Sequence, residues 1–214
     1  MTDMRNVAIF DFDGTIADSM REMLAAYNSV AAELSLEPIT EQRAQELRTL
    51  TPTEAMRVMN VSMWKLPRLM TAVRSAMRAR IAEVQPFLGI PETLRELWRQ
   101  GCKTAIVSSN SEVNIRQLLV RHDIDRFDLF SCGASMFGKA SRLRKLTKRA
   151  ELSGSRFFYI GDETRDVMAA RDAGIASIAV TWGYAAASAL AEQHPSHLID
   201  TPSDLIPILT LAPT

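Results

Sequence analysis

The sequence is poor in cysteine and histidine and has no excess of charge of either sign. Its 214 residues include two cysteines and three histidines, and acidic and basic residues number 25 each. Cys102 and Cys132 stand in no metal-binding spacing, and although they could form one disulfide, we expect free thiols. A net charge of zero creates no overall field that would favour binding to nucleic acid or to a membrane surface.

Long apolar runs are also missing from the sequence. No run approaches the roughly 20 residues that a membrane-spanning helix requires. The first apolar run stops at Asp11, which argues against a secretory signal. We therefore expect a cytoplasmic protein without nucleic-acid or membrane partners, present as a monomer or a small homo-oligomer.

Short apolar runs, in contrast, recur along the chain and indicate buried parallel strands. They lack the alternation of half-buried strands, which is typical of a sheet covered by helices on both faces. These runs lie at residues 7–10, 104–107, 157–160 and 175–180. Helices are predicted between them, at residues 91–100 and 164–173, and each is followed by a glycine that favours a helix end. The pattern predicts an α/β fold with a doubly wound, Rossmann-like parallel sheet.

Residues 17–85 do not follow this alternation. Their apolar residues recur at helical spacing, no convincing strand is present, and Thr-Pro-Thr-Glu at 51–54 favours the start of a helix. We interpret 17–85 as an all-helical domain inserted into an α/β core domain formed by residues 1–16 and 86–214.

The most unusual polar residues follow the predicted strands. Asp11 and Asp13 end the first strand, and alternate residues of an extended segment point the same way. Asp162 follows another strand, and the carboxyl ends of parallel strands meet at one edge of a sheet. Such a cluster of carboxylates would repel itself without a cation. Mg²⁺ prefers oxygen ligands and is held by one or two carboxylates together with waters and a substrate phosphate.

The remaining polar residues near these strand ends suit a phosphate group. Backbone N–H groups near Gly14-Thr15 and Ser108-Ser109, together with the Lys139 ammonium, would hold phosphoryl oxygens. Gly14 allows the backbone to bend close to a ligand. An aspartate carboxylate can then attack phosphorus and form an aspartyl phosphate.

Asp-Phe-Asp-Gly-Thr at 11–15, the strand ending in Ser108, Lys139 and Gly-Asp-x-x-x-Asp at 161–166 resemble the four motifs of the haloacid dehalogenase superfamily. Their order and spacing match over nearly the whole chain, and the insert lies where that superfamily has its first type of cap. Val-Thr-Trp-Gly-Tyr at 180–184 is similar to the phosphoglycolate-phosphatase-like branch.

The resemblance implies a role for each matching residue. Asp11 would be the nucleophile and a metal ligand, and Asp13 the general acid and base, with its backbone carbonyl on the metal. Ser108 and Ser109 would bind phosphate, and Lys139 would neutralise negative charge. Asp162 would be a metal ligand. Asp166 would support the metal through water or orient Lys139. The implied activity is Mg²⁺-dependent hydrolysis of a small phosphorylated metabolite, such as phosphoglycolate.

Two alternatives remain open from the sequence. A sugar phosphomutase would use the same intermediate, although the early histidine usual in those enzymes is replaced here by Ser-Met-Arg-Glu at 19–22. A catalytically silent regulatory or binding module is the other alternative, against which the complete set of motifs argues.

Two basic stretches, residues 55–80 and 139–149, remain unassigned by these motifs. The second favours a solvated helix face over a nucleic-acid surface. In the first, the basic residues are Arg57, Lys65, Arg68, Arg74, Arg78 and Arg80. We expect either an exposed basic face or one or two side chains that grip an anionic leaving group.

Overall fold

The computed structural model describes residues 6–50, 52–62, 64–133, 138–149 and 152–210. Its centre is a sheet of six parallel strands in the order β5-β4-β1-β6-β7-β8. These strands are β1 (Asn6–Phe10), β4 (Lys103–Val107), β5 (Leu129–Ser131), β6 (Arg156–Gly161), β7 (Ala176–Val180) and β8 (His197–Ile199). The predicted α/β fold with a Rossmann-like sheet is confirmed.

Alternate residues of each central strand enter different apolar layers. In β1, Ala8 and Phe10 belong to one buried cluster, whereas Val7 and Ile9 belong to another. Because both faces of the sheet are covered, the strand sequences are continuously apolar. The four apolar runs predicted as strands coincide with β1, β4, β6 and β7.

Helices connect the strands and cover the sheet. Those of the core are α5 (Ile90–Arg99), α6 (Glu112–Arg121), α7 (Lys139–Thr147), α8 (Thr164–Ala173), α9 (Ala187–Ala191) and α10 (Leu205–Thr210). The predicted helices at 91–100 and 164–173 correspond to α5 and α8. Gly174 follows α8 with a φ of 71°, the left-handed conformation that favours glycine after a helix.

Four helices lie between β1 and the rest of the sheet, as the helical spacing predicted. They are α1 (Met20–Ala31), α2 (Glu41–Leu47), α3 (Pro52–Val58) and α4 (Leu66–Arg80). Helices α1 and α4 pack against each other through buried side chains such as Ala26 and Val73. The described part of α3 begins where the Thr-Pro-Thr-Glu sequence places it, and Thr51 lies outside the described residues.

The prediction that residues 17–85 contain no strand was wrong in one detail. Strand β2 (Ala17–Asp18) pairs antiparallel with β3 (Gln85–Pro86), and this two-stranded ribbon joins the two ends of the helical segment. Two residues are too few to show a strand pattern in the sequence. The exact division into core and cap domains stays a prediction.

No helix within the described ranges is long and apolar enough to span a membrane.

Candidate active site

The segment after β1 turns sharply and holds Asp11 at the edge of the sheet. Asp11 is buried, and its backbone N–H donates to the Ile160 carbonyl of the neighbouring strand at 2.8 Å. Its Oδ1 accepts from the Phe12 N–H at 2.8 Å. The chain then folds back, because the N–H groups of Ile16 and Ala17 both donate to the Phe12 carbonyl. This turn fixes the orientation of the Asp11 carboxylate.

Gly14 is required at this turn for both conformation and space. Its φ is 79°, and a Cβ added there would lie 2.1 Å from Oδ2 of Asp162. Asp162 follows β6 and is fully buried. Its Oδ1 accepts from the Thr15 hydroxyl at 2.7 Å, and its Oδ2 accepts from the Tyr184 N–H at 2.8 Å. The backbone of Gly14 therefore lies directly against a predicted metal ligand.

Lys139 lies between two carboxylates beneath this turn. It begins α7, is almost fully buried, and donates to Oδ2 of Asp11 at 2.5 Å and to Oδ1 of Asp166 at 2.6 Å. Burial opposes the charged ammonium, but the carboxylates of Asp11 and Asp166 outweigh burial and raise the pKa of Lys139. Lys139 is therefore held as a cation in contact with the predicted nucleophile.

Asp166 has hydrogen-bond donors on both of its carboxylate oxygens, and they explain its position. Its Oδ1 accepts from Lys139, and its Oδ2 accepts from the Glu163 N–H at 3.1 Å in the capping box of α8. Asp166 therefore makes the predicted contact with Lys139 and also caps the start of α8.

Three carboxylates meet in this region and could hold a metal ion. One oxygen from each of Asp11, Asp162 and Asp166 lies within 4.8 Å of the others, and all three residues are buried. Burial raises the pKa of Asp11, although Lys139 opposes the shift, and burial with nearby acids raises the pKa of Asp162 well above its usual range. Lys139 contacts Asp11 and Asp166 but supplies only one positive charge, and the negative charge that remains suits a hard divalent cation such as Mg²⁺.

Asp13 occupies a different environment, with hydrogen-bond donors on both of its oxygens. The Ser19 hydroxyl donates to Oδ1 at 2.8 Å, and the Asn110 amide donates to Oδ2 at 3.0 Å. Burial raises the pKa of Asp13 to about 6, against the lowering effect of the Ser19 hydrogen bond. A carboxyl group with a pKa near neutrality can both donate and accept a proton, as a general acid and base requires.

Ser108 and Ser109 follow β4 on the other side of β1. Ser108 is fully buried, and its Oγ accepts from the Asn110 N–H at 3.1 Å. Ser109 is half-buried. The structure thus brings Asp11, Asp13, Gly14, Thr15, Ser108, Lys139, Asp162 and Asp166 to the carboxyl edge of neighbouring strands, with Ser109 beside them.

Sequence reasoning missed Ser19, Asn110 and Tyr184. The Ser19 hydroxyl links Asp13 to the Tyr184 hydroxyl, since its Oγ lies 2.7 Å from the Tyr184 oxygen. A signal existed for Asn110, which directly follows Ser108-Ser109, and for Tyr184, which ends the Val-Thr-Trp-Gly-Tyr run. No local pattern indicated Ser19, since its partner Tyr184 is 165 residues away in sequence.

Arg48, which follows α2, connects the cap helices to the core near Asp162. Its Nε donates to the Tyr184 carbonyl at 2.9 Å and its Nη2 to the Gly183 carbonyl at 3.0 Å. In return, the Arg48 carbonyl accepts from the Ala186 N–H at 2.9 Å. These contacts join a cap residue to the loop whose Tyr184 N–H binds Asp162.

Two cavities flank Arg48 and share Leu47, Arg48 and Tyr184. One has a volume of about 110 Å³ and reaches Glu163 and Thr164, and the other has a volume of about 280 Å³ and extends among the cap helices. None of the six basic residues of 55–80, of which one or two were expected to contact an anionic leaving group, lines either cavity as described. Arg57, Arg68 and Arg78 are exposed, and Lys65 donates to the Leu34 carbonyl.

Comparisons with known proteins agree with this site. Residues 8–180 match the family described as haloacid dehalogenase-like hydrolase. A phosphoglycolate phosphatase of Synechococcus elongatus is 34% identical over 203 residues, covering 94% of this chain and 96% of the relative. These similarities confirm the resemblance to the superfamily and to its phosphoglycolate-phosphatase-like branch.

Two solved structures show the same fold. A haloacid dehalogenase-like family hydrolase from Streptococcus pneumoniae has a TM-score of 0.78 and 23% identity, over 97% of this chain and 99% of its own. Protein tyrosine kinase A of Mycobacterium tuberculosis has a TM-score of 0.76 and 24% identity, over 98% of this chain and 100% of its own. Because proteins named for different reactions share the fold, the reaction must be argued from the site.

Proposed function

The chain belongs to the haloacid dehalogenase-like hydrolase family and is a phosphoric monoester hydrolase, and we propose that it acts with Mg²⁺ through a phosphorylated Asp11. The observation that carries this proposal is the buried contact of Lys139 with Asp11, beside the carboxylates of Asp162 and Asp166. A nucleophilic carboxylate must be ionised, and the ammonium at 2.5 Å favours that form.

In the first step an Asp11 oxygen forms a bond to phosphorus, and the bond from phosphorus to the ester oxygen breaks. Asp13 supplies a proton to the leaving oxygen, so that the product is a neutral alcohol. The Ser108 hydroxyl, the backbone N–H of Ser109 and Lys139 hold the phosphoryl oxygens. The Gly14 and Thr15 N–H groups, which the sequence suggested for this role, donate instead to the carbonyls of Ala17 and Phe12 in the turn.

In the second step water hydrolyses the acyl phosphate on Asp11. Asp13, now a carboxylate, takes a proton from the water as its oxygen attacks phosphorus. The bond from phosphorus to Asp11 breaks, inorganic phosphate leaves, and both carboxyl groups return to their starting states. Hydrogen bonds from Ser19 and Asn110 keep Asp13 oriented in both steps.

Asp11, Asp162 and the backbone carbonyl of Asp13 are the groups that would hold Mg²⁺, with Asp166 in support. When bound, the ion supplies positive charge that offsets the repulsion between the carboxylates and the phosphate. Closure of the cap over the sheet edge excludes bulk water from the acyl phosphate. Arg48 is placed to hold that closed state, because it binds carbonyls of the core loop.

The substrate class follows from the relatives, since the named Synechococcus enzyme is a phosphoglycolate phosphatase. A small phosphorylated metabolite is therefore the proposed substrate, with phosphoglycolate as the first compound to assay. The cytoplasmic location and the monomeric or small homo-oligomeric state stay predictions.

The decisive experiment measures phosphate release from a panel of small phosphate esters, with Mg²⁺ and with chelator. Wild type is compared with Asp11→Asn and with the control Asp125→Asn, which changes an exposed aspartate of the core. We expect turnover only with Mg²⁺, loss of turnover in Asp11→Asn, and normal turnover in the control. Metal-independent turnover, or an active Asp11→Asn protein, would contradict the mechanism. Conversion of a sugar phosphate into its isomer without phosphate release would instead identify a mutase.

A further inference from the structure

We infer that the 280 Å³ cavity among the cap helices receives an apolar leaving group, so that phosphate esters of apolar alcohols are better substrates than phosphoglycolate. This inference rests on the phosphatase function proposed above and names the substrate class more closely. Three observations carry it: the composition of the cavity wall, the state of its polar groups, and its position relative to Asp13.

The wall of the cavity is almost entirely apolar. Its apolar lining residues are Met20, Met23, Leu24, Ile39, Ala44, Leu47, Leu69, Met70 and Val73. Among the residues described along this wall, Arg48 alone carries a charge, and the two tyrosines Tyr27 and Tyr184 complete the lining. Ligand sites are characteristically apolar with a few oriented polar groups.

The polar groups of the wall are already hydrogen-bonded within the protein. Each of the three guanidinium nitrogens of Arg48 donates to a protein oxygen: Nε and Nη2 to backbone carbonyls, and Nη1 to Gln45 at 3.1 Å. The Tyr27 hydroxyl donates to the Glu37 carbonyl at 3.1 Å, and the Tyr184 hydroxyl is paired with Ser19. Apart from Arg48, whose three nitrogens already donate to protein oxygens, the wall offers a carboxylate such as that of phosphoglycolate no charged group to replace its hydration.

The cavity is linked through two hydrogen-bonded side chains to the residue that protonates the leaving group. In the proposed mechanism Asp13 donates to the ester oxygen, so the alcohol lies on the Asp13 side of the phosphate. Asp13 is bonded to Ser19, which is bonded to Tyr184, and Tyr184 lines the cavity. Met20, the next residue after Ser19, lines it as well. On the proposed function, the alcohol extends from the Asp13 side of the phosphate toward this apolar space.

The volume suits an alkyl chain or a single aromatic ring. A buried apolar cavity of about 150 Å³ is large enough to bind benzene, and this cavity measures about 280 Å³. Burial of each added methylene is expected to improve kcat/KM by roughly fourfold until the cavity is filled.

The test compares ethyl, butyl, hexyl and 2-phenylethyl phosphate with phosphoglycolate as substrates of the full chain. The simple alkyl alcohols leave with nearly the same acidity, so differences among them report binding of the chain rather than leaving-group chemistry. We expect kcat/KM to rise by at least about tenfold from ethyl to butyl phosphate, and the longer esters to exceed phosphoglycolate.

A filled cavity provides the second arm. Ala44→Phe places a ring in the space, and Gln42→Phe adds the same ring to an exposed position of the same helix as a control. We expect Ala44→Phe to bring the longer esters down to the level of ethyl phosphate and to slow ethyl phosphate far less than hexyl phosphate. If Ala44→Phe does not fold, Ala44→Leu fills less space and gives the same ranking.

The outcomes separate this inference from the function on which it rests. No turnover of any ester by folded wild type with Mg²⁺ would overturn both. Turnover of phosphoglycolate or ethyl phosphate with no gain along the alkyl series would overturn this inference alone. An equal loss for short and long esters in Ala44→Phe would also contradict it, since filling the cavity would then act on the cap as a whole.

Discussion

The edge of the sheet and the cap helices use their charged residues in opposite ways. At the sheet edge, the buried Lys139 forms ion pairs with the buried carboxylates of Asp11 and Asp166. In the cap, Arg57 and Arg68 are exposed, and the 280 Å³ cavity is lined mostly by apolar residues. Fixed charges at the sheet edge suit the phosphoryl group that every substrate shares, whereas the cap offers a shape that distinguishes the alcohols. In the function proposed above, the core therefore determines the reaction and the cap determines the choice of substrate.

The largest expected effect comes from removing the central cation, which tests whether the sheet edge depends on paired charges. Lys139→Met leaves two buried carboxylates without their partner, so the free energy of unfolding should fall by about 3–5 kcal/mol. In the protein that remains folded, kcat should fall by about a thousandfold, because the positive charge that stabilises the phosphoryl oxygens is lost. Urea unfolding and phosphate release measure the two effects.

Lys145→Ala is the matched control for Lys139, since it changes an exposed lysine of the same helix. It should leave both quantities unchanged. A stable and active Lys139→Met protein would show that the buried ion pairs are dispensable and would remove the main contrast with the cap.

The second prediction concerns the close approach of backbone and carboxylate at Gly14. Gly14→Ala combines an unfavourable positive φ, worth about 1–2 kcal/mol, with a Cβ placed 2.1 Å from Asp162. Asp162 must move, and kcat should fall by about a hundredfold, since a displacement near 1 Å has effects of that size.

Gly154→Ala isolates the backbone contribution, because Gly154 has a φ of 77° but no atom within 4 Å of an added Cβ. It should lower stability slightly and leave kcat unchanged. Equal kinetic losses in the two variants would mean that strain, and not contact with Asp162, is responsible. Thermal unfolding and steady-state kinetics of both variants distinguish backbone strain from the contact with Asp162.

The same contrast explains how much of the fold could be predicted from the sequence. Buried parallel strands have short, continuously apolar sequences, so β1, β4, β6 and β7 could be predicted from the sequence. The strands β5 and β8, at the two ends of the sheet, have only three residues each and are partly exposed, so they show no pattern. The ribbon β2–β3 depends on two residues from each end of the cap and has no local signal.

The predicted site residues were visible for a related reason. Asp11 and Ser108 directly follow apolar runs, and Asp162 follows one after a single glycine, so these polar residues could be recognised at predicted strand ends. Arg48 and Ser19 gain their significance from partners 136 and 165 residues away, and neither stands in an unusual sequence. Cap residues that contact the core through tertiary structure cannot be identified from local patterns, even when the catalytic residues can.

The third prediction examines the contact between the two regions. Arg48→Ala removes two hydrogen bonds from a charged group to carbonyls of the core loop, so the closed cap should be less populated. A loss of about tenfold in kcat/KM is expected, with a small change in the melting temperature. Arg43→Ala is the control, since Arg43 pairs only locally with Glu46 on the exposed face of α2. An unchanged kcat/KM in Arg48→Ala would show that closure does not depend on this contact.

The smallest effect is expected at the hydroxyl that joins the cap cavity to the general acid. Tyr184→Phe deletes the oxygen that lies 2.7 Å from Ser19, while Ser19 keeps its bond to Asp13 and the backbone N–H of residue 184 still reaches Asp162. One neutral hydrogen bond contributes about 1 kcal/mol, so kcat should fall by no more than about fivefold. Tyr27→Phe removes another wall hydroxyl, one that is bonded to Glu37 away from Asp13, and should leave kcat unchanged. A larger kinetic loss in Tyr184→Phe than in Arg48→Ala would contradict this prediction. It would mean that the Tyr184 hydroxyl acts on the reacting atoms, and Tyr184 would then belong to the catalytic groups of the core.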